Sequence, residues 1–287
     1  MNEAQGPRSG GPKPNGYAMV AAVAAMAVLA FLALEMMDWA HLAIARTGGE
    51  LARARAVAAA DAGVALAIHR VIDGDAASTA IADGRPWTPD FDGAQLQVRL
   101  VYERGKIPIN FIDEPTVTRL FEQQGLDGSA LARARDSLLD WLDDDDEARP
   151  DGAEAADYAA EGIAPRNGPL RSVEELARVR GIGPDLAARL APIITVSPGV
   201  RSFDAAHADA RALAVMLPAG EAVSAIQRAR EQAGARTALT FSETEQLDRG
   251  PFTVMVDAET DGAFAHREAE VELIPGKGRR WRIITWK

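Results

Sequence analysis

The stretch "YAMVAAVAAMAVLAFLAL", Tyr17 to Leu34, contains no charged side chain. Carried on to Met37, with Glu35 as its one charge, the apolar run has about 21 residues. As a helix that is roughly 30 Å, enough to cross a bilayer core. The run is longer than the roughly 7 to 15 apolar residues of a cleaved signal peptide, although "AIA" ending at Ala45 has the form of a cleavage site. The helical pattern then continues: Leu42, Leu51, Val57, Val64, Leu66 and Ile68 recur among alanines, with Arg46, Glu50, Arg53, Arg55 and Asp61 between them. One helix from Tyr17 to about Val71 would be on the order of 80 Å long. A bend is expected at Gly48 and Gly49, the weakest helix formers in it.

Composition bounds the rest of the chain. There are 287 residues, 47% of them hydrophobic, which suits one large or two modest folded domains. The 42 acidic residues outnumber 31 basic ones, for a formal net charge of -11, so the molecule as a whole repels a polyanion. The absence of cysteine excludes disulfides and thiolate-bound metals. His41, His69, His207 and His266 share no spacing, and no nucleophile elbow, zinc-protease or phosphate-loop motif occurs. No enzyme is read from this sequence.

Beyond the helix, "DGDAASTAIADGRPWTPDFDG" reads as a turn-rich linker. Alternation at Leu96, Val98, Leu100 and Tyr102 predicts a half-buried strand ending near Gly105. Three more strands are expected at Phe252 to Glu259, Glu268 to Ile274 and Trp281 to Trp286, with "PGKG" as the turn before the last. Ile107 to about Leu247 is helical in pattern, without a convincing strand. A helical insert therefore interrupts a small antiparallel sheet on which the long helix packs, an α+β plan. The segment from Val200 weakly repeats the helix, turn and helix pattern before it.

Two motifs within the insert carry chemistry. In "DWLDDDDEARPDGAEAADY", Asp140 to Tyr158, carboxylates stand at positions 1, 3, 5 and 12 counted from Asp143: Asp143, Asp145, Glu147 and Glu154. That is close to an EF-hand spacing, except that Ala148 occupies the position of the required glycine. The alternative is a solvated acidic turn. Asp140 is expected to cap or pair locally. The second motif, "RVRGIGPDLAARL" from Arg178 to Leu190, resembles a phosphate-gripping helix-hairpin-helix turn, with Arg178, Arg180 and Arg189 available. Glu174, Glu175 and Asp185 oppose that use. Packing is the preferred reading: Gly181 and Gly183 would let helices meet, with Val173, Leu176, Val179, Ile182, Leu186 and Leu190 as the apolar seam.

A short basic leader ending in Gly16, the apolar segment after it and the continuing helix "ARARAVAAADAGVALAIHRVIDG" resemble a type IV pilin-like protein. The resemblance implies cleavage by a prepilin peptidase between Gly16 and Tyr17 and methylation of the new N-terminus. Ala21 stands where most members carry a glutamate, five residues into the mature chain. That departure, with D-W-hydrophobic-D-x-D, the R-P-D-G-A-E segment, Tyr158 and "PRNGPLRSVEEL", resembles the minor pseudopilin K family of type II secretion, GspK. The family carries calcium in its helical domain; on this sequence Asp143, Asp145 and Glu154 match its acidic positions best, with Asp157, Asp146 and Asp151 behind them.

The resemblance implies six segments: a leader (1–16), a transmembrane segment (17–37), stem helix and first sheet part (38–105), a SAM-like or helix-hairpin-helix-like inserted all-α domain (106–198), a second helical repeat (199–248) and C-terminal strands (249–287). It implies a single inner-membrane span with the N-terminus cytoplasmic and the bulk periplasmic. The partners implied are I- and J-type minor pseudopilins, the major pseudopilin filament, the inner-membrane secretion platform and the prepilin peptidase, with no nucleic acid. The expected role is at the pseudopilus tip. The alternative is a membrane-anchored, competence-type DNA-binding protein.

Overall fold

The computed structural model describes residues 15–73, 86–205, 207–217, 223–226, 228, 250–274 and 281–287. Most of the leader, most of the second helical repeat and the "PGKG" turn lie outside them. The chain divides into two compact units, Met1–Ala54 and Arg55–Lys287. Helix α1, Asn15–Asp73, contributes to both and runs uninterrupted through Gly48 and Gly49. In the first unit its large apolar side chains, among them Val20, Leu29, Phe31 and Leu42, are exposed. A helix of this length and apolar character can cross a membrane.

In the second unit α1 changes character. Ala56, Ala59, Ala60, Val64, Ala67, Ile68 and Val71 recur at helical spacing and are buried against a five-stranded antiparallel sheet. The strands are β1 (Asp90–Phe91), β2 (Ala94–Tyr102), β5 (Phe252–Thr260), β6 (Ala263–Leu273) and β7 (Trp281–Trp286), in that spatial order. On β2 every second residue from Ala94 to Tyr102 is buried, and register places Leu96, Val98 and Leu100 opposite Ala258, Val256 and Val254. The sheet thus presents a continuous apolar face to the helix. Small residues let the helix approach closely: a Cβ on Gly63 would stand 2.7 Å from Cγ1 of Val256. Ion pairs fix the rim, Arg55 to Asp261 at 3.0 Å and Arg267 to Asp61 at 2.7 Å.

Three details of the expected sheet are corrected. The end of the linker joins the sheet, because Asp92-Gly93 makes a left-handed two-residue turn that folds β1 back onto β2. The same chemistry at Asp261-Gly262 starts β6 at Ala263, five residues before the expected Glu268. The insert also contains a strand pair: β3 (Ile107–Pro108) and β4 (Ile194–Thr195) lie parallel where the chain enters and leaves the main helical part. Two-residue strands show no periodicity.

The insert has its own core. It comprises α2 (Glu114–Glu122), α3 (Gly128–Leu142), α4 (Ala155–Tyr158), α5 (Gly183–Leu190) and α6 (Ala210–Met216). Asp113 caps α2 by accepting from Thr116 N at 3.0 Å, and Asp209 caps α6 by accepting from Ala212 N at 2.8 Å. Phe121, Leu138, Trp141, Tyr158, Leu176 and Leu190 meet at its centre, with the rings of Trp141 and Tyr158 edge-on at 5.5 Å. Ala212, Leu213 and Val215 of α6 enter the same core, so the described part of the expected second repeat completes the first domain's packing. Replacing Gly63 by Leu should lower stability by about 1–3 kcal/mol through overpacking, whereas the same change at Gly48, with nothing within 4 Å, should not. Thermal unfolding of the full chain in detergent, followed by circular dichroism, checks the contrast.

Candidate metal centre

The acidic loop starts where α3 ends, at Leu142. Carboxylates are disfavoured at a helix C-terminus, so the loop needs a framework that holds them there. Asp140 supplies it. Fully buried, it accepts from the backbone N–H of Arg149 at 3.2 Å and of Ala153 at 2.9 Å, folding the loop back over α3. Asp136, one turn earlier, accepts from Asp151 N at 3.2 Å and from Arg135 Nε at 2.7 Å. The expectation that Asp140 acts locally is met.

This framework brings Asp143, Asp145 and Glu154 together. Each offers a carboxylate oxygen, and the three oxygens lie within 4.8 Å of one another. Glu147, at the fifth EF-hand position, is exposed; its backbone N–H donates to Asp145 Oδ1 at 2.9 Å. Ala148 does not adopt the left-handed conformation that an EF-hand glycine would supply. Three of the four residues picked by the spacing thus come together, through a loop that is not an EF-hand. Asp157 stands apart: its Oδ2 accepts from Glu154 N at 3.1 Å in a capping box, and its Oδ1 pairs with Arg180 at 3.1 Å. Asp151 serves the framework through its backbone, and Asp146 Oδ1 accepts from the Asn167 amide at 3.0 Å.

Asn167 is the residue that carboxylate counting misses. It sits at φ 46°, a left-handed conformation that Asn tolerates. From there its Nδ2 also donates to Asp145 O at 2.7 Å and Glu154 Oε2 at 3.3 Å. An asparagine followed by glycine between the acidic loop and the next helix is the signal that could have found it.

The electrostatics leave this site incomplete. Asp143 Oδ1, Glu154 Oε1 and Asn167 Oδ1 are buried acceptors without a hydrogen-bond partner. Glu154 is only 6% exposed. Burial, with Asp145 beside it, pushes the Asp143 carboxyl above the usual carboxylate range. Burial also raises Glu154, with Asp140 and Asp143 adding to the effect. Arg149 reaches Asp143 Oδ2 at 3.4 Å and neutralises only part of the cluster. Acceptor-only oxygens at this spacing fit a hard cation: two oxygens bound to one calcium at about 2.3–2.6 Å lie no more than about 5 Å apart. With solvent completing the shell, Asp143, Asp145 and Glu154 would form such a donor set, which the Asn167 amide holds in place by donating to Glu154 Oε2.

The glycine hairpin has other work. Its first arm is a 3-10 turn, Val173–Arg178, and its second is α5. Gly181 and Gly183 have φ values of 82° and 67°, which set the turn. A Cβ on Gly181 would lie 3.1 Å from Ala134 N, so the close approach is to α3. Leu176, Val179, Ile182, Leu186 and Leu190 are buried in the seam, with Val173 packed against it. The backbone N–H groups of Arg180 and Ile182 donate to Tyr158 Oη at 3.0 Å and Val179 O at 3.1 Å, and Arg180 is paired with Asp157. Two N–H groups of the turn are therefore engaged within the chain, while Arg178 and Arg189 are exposed. The expected processing pair lies in the first residues of α1, with Tyr17 exposed.

Residues 101–199, which contain both motifs, match the family model described as type II secretion system protein K. Among solved structures, the chain resembles one from the crystal structure of the GspK-GspI-GspJ complex of the enterotoxigenic Escherichia coli type 2 secretion system. The TM-score is 0.57 with 14% identity, over 84% of this chain and 98% of that one. No curated protein matches the chain. The shared fold is the long N-terminal helix, antiparallel sheet and additional helices. Family match and fold together support a type II secretion minor pseudopilin of the K class.

Proposed function

We propose that this chain caps the type II secretion pseudopilus, where with I- and J-class minor pseudopilins it starts assembly and supports export across the outer membrane. The observation that carries this reading is the family match falling on a bulky helical domain inserted into a sheet that packs on a stem helix. A subunit carrying such a domain suits the one position in a filament where nothing stacks above. Ala21 agrees: at that position the chain lacks the glutamate that would need a cationic partner in a neighbouring subunit. The apolar part of α1 would anchor the chain in the inner membrane, with the N-terminus cytoplasmic and the remainder periplasmic. Prepilin peptidase would cut after Gly16, leaving a methylated Tyr17. The role is structural, with no catalytic step.

Within this role the acidic loop is a calcium site that fastens the inserted domain. Asp143, Asp145 and Glu154 would bind the ion, the Asn167 amide would orient Glu154 and the loop backbone, and Asp140 would hold the loop in shape. Calcium binding the folded chain alone adds stability by mass action, about 2.7 kcal/mol at a hundred times its dissociation constant.

Calcium should therefore raise the melting temperature and chelator lower it, with the shift lost in Glu154→Gln and reduced in Asn167→Ala. Indifference of the unaltered chain to both additions would reject the site. Asp140→Ala should destabilise even without calcium, by about 1–3 kcal/mol, because it leaves buried backbone donors unpaired. For the tip role, I- and J-class pseudopilins should co-purify with the full chain, and the mature protein should begin at Tyr17 by mass spectrometry. Absence of I and J from material that retains its fold would overturn it.

A further inference from the structure

Arg149 lies between the framework of the acidic loop and its donor set. Its backbone N–H donates to Asp140 at 3.2 Å, its Nε lies 3.4 Å from Asp140 Oδ1, and its Nη2 reaches Asp143 Oδ2 at 3.4 Å. Among the described residues it is the one cation paired with Asp143, Asp145 or Glu154. Arg135 and Arg180 pair instead with carboxylates outside the donor set, Arg135 with Asp136 at 2.7 Å and Arg180 with Asp157 at 3.1 Å. In sequence, the unbroken run of carboxylates from Asp143 to Glu147 is followed by this single basic residue before Asp151.

Three observations bear on what the side chain does. The first is contact length. At 3.4 Å both side-chain contacts exceed the roughly 2.7–2.9 Å of a tight charge-assisted bond, so the guanidinium acts on these carboxylates chiefly through its charge. The second is how Asp143 is divided: Arg149 donates to Oδ2, and Oδ1 keeps no hydrogen-bond partner. The arginine therefore relieves the repulsion without completing the site. The third is freedom. The side chain is 38% exposed, and what ties position 149 to Asp140 is a backbone N–H, which every residue but proline supplies. The guanidinium can withdraw toward water while the loop keeps its anchor.

We infer that Arg149 is the resident counter-cation of this loop: it stands in part-way for calcium when the ion is absent and opposes the ion when it binds, holding the ion-free domain together and calcium affinity down. The inference rests on the reading of the loop as a calcium site. A guanidinium and a divalent ion drawn to the same carboxylates repel one another. Their coupling is reciprocal: whatever affinity calcium loses to the arginine, the arginine's contribution to stability loses to calcium. Solvent screening of a partly exposed side chain keeps the coupling modest, about tenfold in affinity. The consequence is a site that loads and empties around a domain that stays folded.

The test uses the full chain in detergent at fixed ionic strength, stripped with chelator and titrated with calcium chloride by calorimetry, with melting followed in excess chelator and in excess calcium. Arg149→Gln should bind calcium about tenfold more tightly, melt lower than the unaltered chain in chelator, and regain part of that loss in calcium. Arg149→Lys keeps the charge and should stay within about threefold of the unaltered affinity. Calcium bound equally well or more weakly by Arg149→Gln, or an equal loss of stability with and without the ion, would overturn the inference and leave the calcium site standing, because the arginine would then serve the framework or orient Asp143. An unaltered chain that takes up no calcium rejects the site itself, and the inference with it. Folding of Arg149→Gln only in calcium is the expected result in its extreme form. If that variant folds in neither condition, Arg149→Lys decides: affinity weakened about tenfold or more despite the retained charge would mark the guanidinium's geometry as the essential feature and overturn the inference.

Discussion

Tyr102 and Phe252 face each other as cross-strand partners on β2 and β5, so everything from Glu103 to Pro251 leaves and re-enters the sheet at one point. Most of the architecture depends on this constraint. An insertion whose ends are already neighbours does not have to distort the sheet, and loop-closure cost grows only slowly with length. The junction is secured on both sides of the backbone: Glu103 N donates to Pro251 O at 3.0 Å, and Asp204 N to Arg104 O at 2.7 Å. Inside it, Glu103 is buried and accepts from Thr253 Oγ1 at 2.7 Å and Lys106 Nζ at 2.6 Å. The pair is tolerable there because the glutamate's charge is both neutralised and hydrogen-bonded. Tyr102 closes the seam by stacking at a tilt on His207, 4.7 Å between centroids.

Because the insert enters and leaves at a single seam, it develops a core of its own while the sheet keeps the core it shares with α1. Contact across the open part of the junction is polar and sparse. The Lys287 ammonium donates to Glu174 and holds that carboxyl down at about 2, so the link persists at neutral pH and is lost only as pH falls through that value. Both side chains are largely exposed, which makes the link a guide rather than a clamp. The groove of about 860 Å³ left between insert and sheet beside this junction is the expected outcome of two cores that share one seam.

The parts of this structure legible in the sequence are those governed by period. Alternation at Leu96, Val98, Leu100 and Tyr102 reports β2 because one face of that strand is buried and the other is not. The helical seam of the hairpin is visible for the same reason. Turn chemistry carries information that alternation does not: Asp92-Gly93 and Asp261-Gly262 both mark strand ends that periodicity alone places late or not at all. Within the acidic loop, spacing finds Asp143, Asp145 and Glu154, which act through their side chains in one place. It does not separate them from Asp157, whose side chain is used in a capping box, nor does it find Asn167, which is uncharged and arrives through backbone conformation. Carboxylate counting reports charge density, and ligation depends on which oxygens remain unsatisfied.

That distinction explains why so acidic a loop can sit at the end of α3. Asp140 and Asp136 are buried carboxylates, yet their oxygens are consumed by backbone and arginine donors, so they organise the chain. Asp143, half-buried, and Glu154, buried, each keep one oxygen without a donor, and burial with the neighbouring carboxylates raises both carboxyls. The framework thus supports a repulsive cluster at a helix end whose dipole also opposes it. If all of these carboxylates served the fold alone, the unpartnered oxygens would be a cost without return. A cation placed among them would turn the same cost into cohesion, tying α3, the loop and the Asn167 segment together at one point.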